Sequence, residues 1–162
     1  MIDINSVLIY IYNGHAVFVC LAFFAFIYIK DYKAATFSFC TAISFLIGIA
    51  AQGFLYENDN SFVYRYIFWA SNDLIWMACI AYLAIKDKVY LLQSIIGQLV
   101  VALSPIIQIF RLLDRHLWDL SYSDLLYKSI LPLINFAIVF ICFIPFFTFF
   151  FNKSKSQKQL AK

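Results

Sequence analysis

Charged residues are scarce in this sequence. Asp, Glu, Lys and Arg make up 13% of its 162 residues, whereas 64% are hydrophobic and 20% are aromatic. A soluble domain uses about a quarter charged residues because its surface must face water, and a chain this short keeps much of its area exposed. A mean hydropathy of +0.84 therefore excludes a soluble globular domain, and the composition predicts an integral membrane protein.

Glycine is also rare, with four residues in the chain, so a glycine-rich phosphate loop is not expected. The sequence contains no HExxH or GxSxG motif and no pair of acids within an apolar run. Four cysteines lie inside apolar runs without CxxC or Cys/His spacing, which indicates neither a disulfide framework nor a zinc site: Cys20, Cys40, Cys79 and Cys142. We therefore expect no enzyme activity, no cofactor and no metal site.

The basic residues do not form a face or a recognisable nucleic-acid motif, although the net charge is +3. They stand at the ends of apolar segments, where membrane orientation explains them. The expected surroundings are therefore a lipid bilayer, and no nucleic-acid partner is predicted.

Five apolar runs are each long enough for a helix that crosses a hydrocarbon layer of about 30 Å. Helices are favoured over strands because these runs lack the alternation of a β-barrel and because lipid tolerates no unpaired backbone. The predicted fold is an all-α bundle of five transmembrane helices in one domain over 1–151, followed by a polar, basic tail over 152–162. The predicted spans cover about 7–29, 34–55, 62–85, 89–110 and 129–151.

The connection between the fourth and fifth spans has leucines near helical spacing with charged residues between them. This pattern predicts a short amphipathic helix over about 111–122 that lies on the outer membrane interface and is anchored by Trp118. A solvated loop is the alternative.

The distribution of Lys and Arg predicts the orientation, because cytoplasmic loops are enriched in these residues. One side of the predicted bundle has eight: Lys30, Lys33, Lys86, Lys88, Lys153, Lys155, Lys158 and Lys162. The other side has four: Arg65, Arg111, Arg115 and Lys128. We expect an external N-terminus and a cytoplasmic C-terminus in a plasma or inner membrane. The acidic start, MIDINS, does not resemble a cleaved signal peptide.

Asp73 stands near the middle of the third span, in the stretch FWASNDLIWM, with Asn72 beside it. A charged side chain at this depth costs about 2.5–3.5 kcal/mol on insertion scales. We therefore expect Asp73 to be protonated, paired or facing a water-filled cavity. An ionisable residue inside a membrane span is by default a candidate functional residue.

Several other spans place a polar residue at a depth similar to that of Asp73, counted at about 1.5 Å per helical residue. His15, Gln98 and Asn135 are the predicted neighbours of Asp73, and Ser104 is shallower in the same half. These positions predict a polar cluster in the external half of the bundle. For His15, hydrogen bonding between helices is the alternative to a role as a proton carrier.

Trp69 and Trp76 flank Asp73 at i−4 and i+3, on the same face of the helix. A carboxylate between two indole rings can bind an organic cation. Packing of both rings against neighbouring helices is the alternative.

The second span has a stripe of small or polar residues suited to close helix packing in lipid: Cys40, Ser44, Gly48 and Gln52. Three prolines should kink or open the last two spans: Pro105, Pro132 and Pro145. Carbonyls freed near the first two prolines could line the external cavity.

These features predict a small channel or transporter-like protein for an ion, a proton or an organic cation, with its site around Asp73. The alternative is a non-catalytic scaffold or accessory subunit, in which the polar cluster orders the helices. In either case we expect a homo-oligomer or a membrane protein partner.

Overall fold

The computed structural model describes the backbone of residues 4–59, 61–118 and 120–160, and side chains over 14–148 except 60, 119 and 121. Over this part of the chain the regular secondary structure is entirely helical, which confirms the predicted all-α class. The helices are α1 (Ile4–Ile29), α2 (Tyr32–Asn58), α3 (Tyr64–Ile85), α4 (Leu91–Val101), α5 (Leu103–Leu117) and α6 (Ser121–Leu160).

Four helical segments are long and apolar enough to cross a membrane, which supports the prediction of a membrane protein. They are Tyr32–Asn58, Tyr64–Ile85, Leu91–Leu117 and Tyr122–Thr148. The apolar segment Gly14–Ile29 of α1 is shorter than these four. The structure therefore supports a transmembrane helical bundle, with four of the five predicted spans identified by length and composition.

The chain between the last two spans differs from the predicted interfacial helix over 111–122. Residues up to Leu117 continue α5, and α6 begins at Ser121, so no separate helix is seen in the described part of this region. Arg111 is 5% exposed and Asp114 is 0% exposed. Arg111 and Asp114, two of the charged residues that suggested a water-facing surface, are therefore inside the protein.

The helices are arranged in a ring. Each helix packs against its neighbours in the chain, and α6 also contacts α1 and α4, which closes the ring. At the end nearest the α1–α2 and α3–α4 turns, the interior is filled by Phe26, Phe37 and Ile80, which are at most 1% exposed. This half of the bundle has a packed core made mostly of apolar side chains.

Charged side chains mark the two ends of the bundle. Lys33 Nζ lies 2.6 Å from Asp87 Oδ1, which joins the α1–α2 region to the α3–α4 turn. At the opposite end, the guanidinium carbons of Arg65 and Arg115 lie 4.4 and 3.4 Å from the centre of the Phe62 ring. Lys33 thus lies at the opposite end from Arg65 and Arg115, as the sequence predicted, while the membrane side that each end faces stays a prediction.

Pro145 lies within α6 and has no N–H, so the carbonyl of Ile141 one turn earlier has no donor within the helix. Gln93 of α4 supplies that donor, because its Nε2 lies 3.0 Å from the Ile141 oxygen. Gln93 is 2% exposed. A side chain of one helix therefore satisfies the backbone group that proline frees in another.

Gln93→Leu is expected to lower the free energy of unfolding by about 1 kcal/mol, in the range of interhelical hydrogen bonds in membranes. In a Pro145→Ala background the new amide can bond Ile141, so the effect of Gln93→Leu should become smaller or change sign. A double-mutant cycle on unfolding in detergent micelles measures this coupling. The same loss in both backgrounds would contradict the assignment.

Candidate functional site

A cavity of about 260 Å³ lies between α1, α2, α3, α5 and α6, in the half of the bundle away from the packed core. Five of the residues predicted for the site line this cavity: His15, Trp69, Asn72, Asp73 and Asn135. Tyr56 lines it as well, and its ring stacks with the Arg65 guanidinium at 4.6 Å. The cavity therefore lies toward the arginine end of the bundle.

Asp73 is held by two side chains of α5. Its Oδ2 accepts hydrogen bonds from Ser104 Oγ at 2.5 Å and from Gln108 Nε2 at 3.1 Å. Gln108 Nε2 also donates to Ser104 Oγ at 3.1 Å. Among the described side chains, no lysine or arginine forms an ion pair with Asp73. The carboxylate thus faces a cavity and is bonded by neutral groups.

The small-residue stripe of α2 packs against α3 beside the cavity. Asn72 Nδ2 donates to Ser44 Oγ at 2.8 Å. Trp69 lies against Gly48, where an added Cβ would come within 2.8 Å of the indole Cζ3 atom. Glycine at this position allows the ring to lie directly against α2, so the predicted stripe sets the position of the cavity wall.

His15 and Lys128 bring basic groups to the cavity wall. The His15 ring meets the Phe45 ring edge-on, with centroids 4.5 Å apart. The Lys128 side chain is 71% exposed, and its Nζ lies 2.5 Å from Asp124 Oδ2. Lys128 therefore stands at the mouth of the cavity with a carboxylate partner of its own.

Two predicted site residues do not line this cavity. Trp76 is 5% exposed, its Nε1 donates to Thr41 Oγ1 at 3.2 Å, and its ring packs edge-on against Phe37. Trp76 borders a separate void of about 20 Å³, which Asp73 also borders. This void has room for little more than a water molecule. The predicted cage of two tryptophans is therefore not formed around the larger cavity.

Gln98 is the other predicted residue outside the cavity. Its Nε2 donates to Ser94 Oγ at 2.9 Å, one turn earlier on the same helix. Depth along a helix can be counted from sequence, but the direction in which a side chain points depends on how the helix packs. Gln98 has a depth similar to that of Asp73, but its side chain does not point into the cavity.

Gln108 was missed by the sequence analysis because it falls at the end of the predicted fourth span, over 89–110. In the structure α5 continues to Leu117, so Gln108 lies well within the helix. Ser104 and Gln108 are one turn apart and therefore share a face. This i, i+4 pair is the sequence signal that could have identified the α5 side of the site.

The described residues hold no group of three or more His, Cys, Asp or Glu side chains that could bind a metal ion. The fold and the cavity together describe a helical membrane protein with a polar cavity between its helices. Comparison of the chain with protein-family models, curated proteins and solved structures finds no match.

Proposed function

We propose that this protein is a small transporter-like membrane protein that binds its solute in the cavity around Asp73. The observation behind the proposal is a carboxylate, without a lysine or arginine partner among the described residues, that faces a cavity of about 260 Å³ between apolar helices. Placing an acid within a membrane span is costly. Binding of a solute is a function that would account for its presence.

The packed core supports a transporter-like mechanism over an open pore. Phe26, Phe37 and Ile80 fill the bundle on the side of the cavity nearer the Lys33–Asp87 pair. A solute bound near Asp73 would need the helices to move before it could pass this core.

The proposed membrane arrangement follows the sequence prediction. We propose that α1 (Ile4–Ile29) also crosses the membrane, as the first of five spans. We further propose that the N-terminus is external and the C-terminus cytoplasmic, and that the membrane is a plasma or inner membrane. In this arrangement the cavity lies in the external half. We also propose that the protein acts without catalysis, as a homo-oligomer or with a membrane protein partner.

Flux into liposomes tests the function. With protons, sodium, potassium and small amines as probes, the native protein should give flux of at least one probe above that of empty liposomes. Asp73→Asn should reduce this flux at least tenfold, because it removes the charge that the solute meets. Asp87→Asn is the matched control, since that side chain is 84% exposed, and it should retain native flux. Equal flux in Asp73→Asn and native protein at matched incorporation would contradict the proposal.

A scaffold or accessory subunit is the second candidate. It is favoured by the fact that both hydrogen bonds to Asp73 come from α5, so the cluster also ties α3 to α5. This function predicts that Asp73→Asn loosens the bundle and that the native protein copurifies with a larger membrane partner. Absence of flux from the native protein together with such a partner would favour it.

A further inference from the structure

The hydrogen-bond donors around Asp73 are already engaged. The hydroxyl of Ser104 donates to Asp73 Oδ2. The amide nitrogen of Gln108 has two hydrogens and two acceptors, Asp73 Oδ2 and Ser104 Oγ, each at 3.1 Å. These two side chains of α5 therefore have no further hydrogen to offer a molecule in the cavity.

The groups that remain available are acceptors. Gln108 Oε1 is buried and has no hydrogen-bond partner among the described residues. Its orientation is set by Asp73, because the reversed amide would place an oxygen against the carboxylate. Both hydrogen bonds from α5 reach Oδ2 of Asp73, which leaves Oδ1 to accept. A buried acceptor without a partner is unfavourable, so a solute that supplies N–H groups would be stabilised here.

Other residues that line the same cavity also carry donors, among them His15, Asn72, Lys128 and Asn135. Asn72 Nδ2 is bonded to Ser44 Oγ at 2.8 Å. Lys128 lines the mouth of the cavity, and its Nζ is paired with Asp124 at 2.5 Å. Asp73 and Gln108 themselves present a carboxylate oxygen and an amide oxygen as acceptors.

Aromatic rings form much of the remaining wall. Trp69 precedes Asp73 by one helical turn, and Phe45, Tyr56 and Tyr127 line the same cavity. The faces of aromatic rings attract ammonium groups. A volume of about 260 Å³ is slightly below the range of drug-sized ligand sites, so the solute must be small.

We propose that the solute is a small organic ammonium, whose N–H groups bond Asp73 and Gln108 and whose apolar part lies against Trp69. This inference rests on the proposed function and specifies its substrate class. A protonated amine has the positive charge that complements the Asp73 carboxylate and the N–H groups that the Gln108 oxygen can accept. A metal cation is disfavoured because the described residues hold no group of three or more His, Cys, Asp or Glu side chains that could bind one.

The test is binding to the purified full-length protein in detergent micelles, measured by isothermal titration calorimetry. Four probes of similar size separate charge from hydrogen bonding: butylammonium, tetramethylammonium, 1-butanol and butyrate. We expect butylammonium to bind at least tenfold more tightly than butanol and butyrate. It should also bind more tightly than tetramethylammonium, which has the charge but no N–H group.

Two variants locate the binding. Asp73→Asn should weaken butylammonium binding at least tenfold, and Gln108→Leu should weaken it several-fold. Gln98→Leu is the matched control, because Gln98 is on the same apolar segment but does not line the cavity, and it should bind like the native protein. Circular dichroism and gel filtration verify folding. If Asp73→Asn does not fold, the comparison of Gln108→Leu with Gln98→Leu decides.

The outcomes distinguish the two proposals. Binding of butanol or butyrate as tight as that of butylammonium, lost in Gln108→Leu, would overturn the ammonium class and leave the site in place. Equal binding of tetramethylammonium and butylammonium would overturn the requirement for N–H donors. Flux that depends on Asp73 without binding of butylammonium would overturn the ammonium class alone. Absence of both binding and flux would overturn both proposals.

Discussion

Replacing Arg111 with Met is expected to lower the free energy of unfolding by about 3–5 kcal/mol, the cost of leaving a buried charge without its partner. Arg111 is 5% exposed, and its Nη1 donates to Asp114 Oδ2 at 3.1 Å and to Ser123 Oγ at 2.5 Å. Its Nη2 donates to Asp124 Oδ1 at 3.2 Å. Because Asp114 is 0% exposed, its carboxylate would remain buried without a cation.

The cluster around Arg111 also fixes the turn between α5 and α6. Asp114 accepts a hydrogen bond from the backbone N–H of Leu120 at 3.1 Å and another from the Ser123 hydroxyl. The loss of Arg111 would therefore weaken the connection between two helices that both border the cavity. We expect the unfolding transition to move to a lower denaturant concentration and solute binding to weaken with it.

Lys128→Met is the matched control for Arg111→Met. Its ion pair with Asp124 belongs to the same cluster, but the lysine side chain is 71% exposed. Exposed pairs are worth about 0–1 kcal/mol, so this change should have little effect. Chemical unfolding of the two variants in detergent micelles measures the difference. Similar small losses of unfolding free energy in the two variants would mean that the Arg111 cluster is solvated rather than buried.

The same cluster shows how far the sequence can be interpreted. Composition and the length of the apolar runs were sufficient to predict a helical membrane protein, because these properties depend only on the solvent that the chain must face. The alternation of leucines and charges over 111–122 was interpreted as a surface helix. A buried ion pair has the same i, i+3 pattern, and sequence alone does not show which face of the helix is covered.

Only part of the candidate site was predicted, because sequence shows the depth of a side chain but not the direction in which it points. The cost of a carboxylate in lipid identified Asp73 directly, and its helical neighbours Trp69 and Asn72 also line the cavity. Gln98 was expected there because its depth is similar. Ser104 and Gln108, further along the same span Leu91–Leu117, are the residues that reach Asp73. The direction of each side chain depends on how the helix packs against its neighbours.

Asp59 stabilises the start of α3. Its side chain is 1% exposed, and its carboxylate accepts hydrogen bonds from the backbone N–H groups of Val63 at 3.1 Å and Arg65 at 2.8 Å. The Ser61 hydroxyl also donates to it, at 3.1 Å. The first N–H groups of a helix have no partners within the helix, and a negative charge near them is favourable. Asp59 therefore acts as the cap of α3, although it lies outside the helix.

These contacts determine the pH dependence of the cap. Burial acts to raise the pKa of Asp59, but the hydrogen bonds from Arg65, Ser61, Tyr64 and Val63 outweigh it and hold the pKa below the ordinary value of 3.8. A lowered pKa in the folded state means that the unfolded state takes up the proton first as the pH falls. The stabilisation is therefore complete above pH 3.8 and is lost as the pH falls through the lower pKa of the folded protein.

Asp59→Ala is expected to lower the free energy of unfolding by about 2 kcal/mol at neutral pH, as for the loss of a charged helix cap. The difference in the free energy of unfolding between this variant and the native protein should be constant from about pH 7 to pH 5. It should shrink at lower pH, where the native carboxylate also becomes neutral. Asp87→Asn, at an 84% exposed carboxylate whose positive φ Asn also tolerates, should change stability little at any pH. Unfolding of the three proteins in micelles, from pH 7 to below pH 3.8, measures the effect. A difference between Asp59→Ala and the native protein that stayed constant in acid would show that the cap acts through its shape rather than its charge.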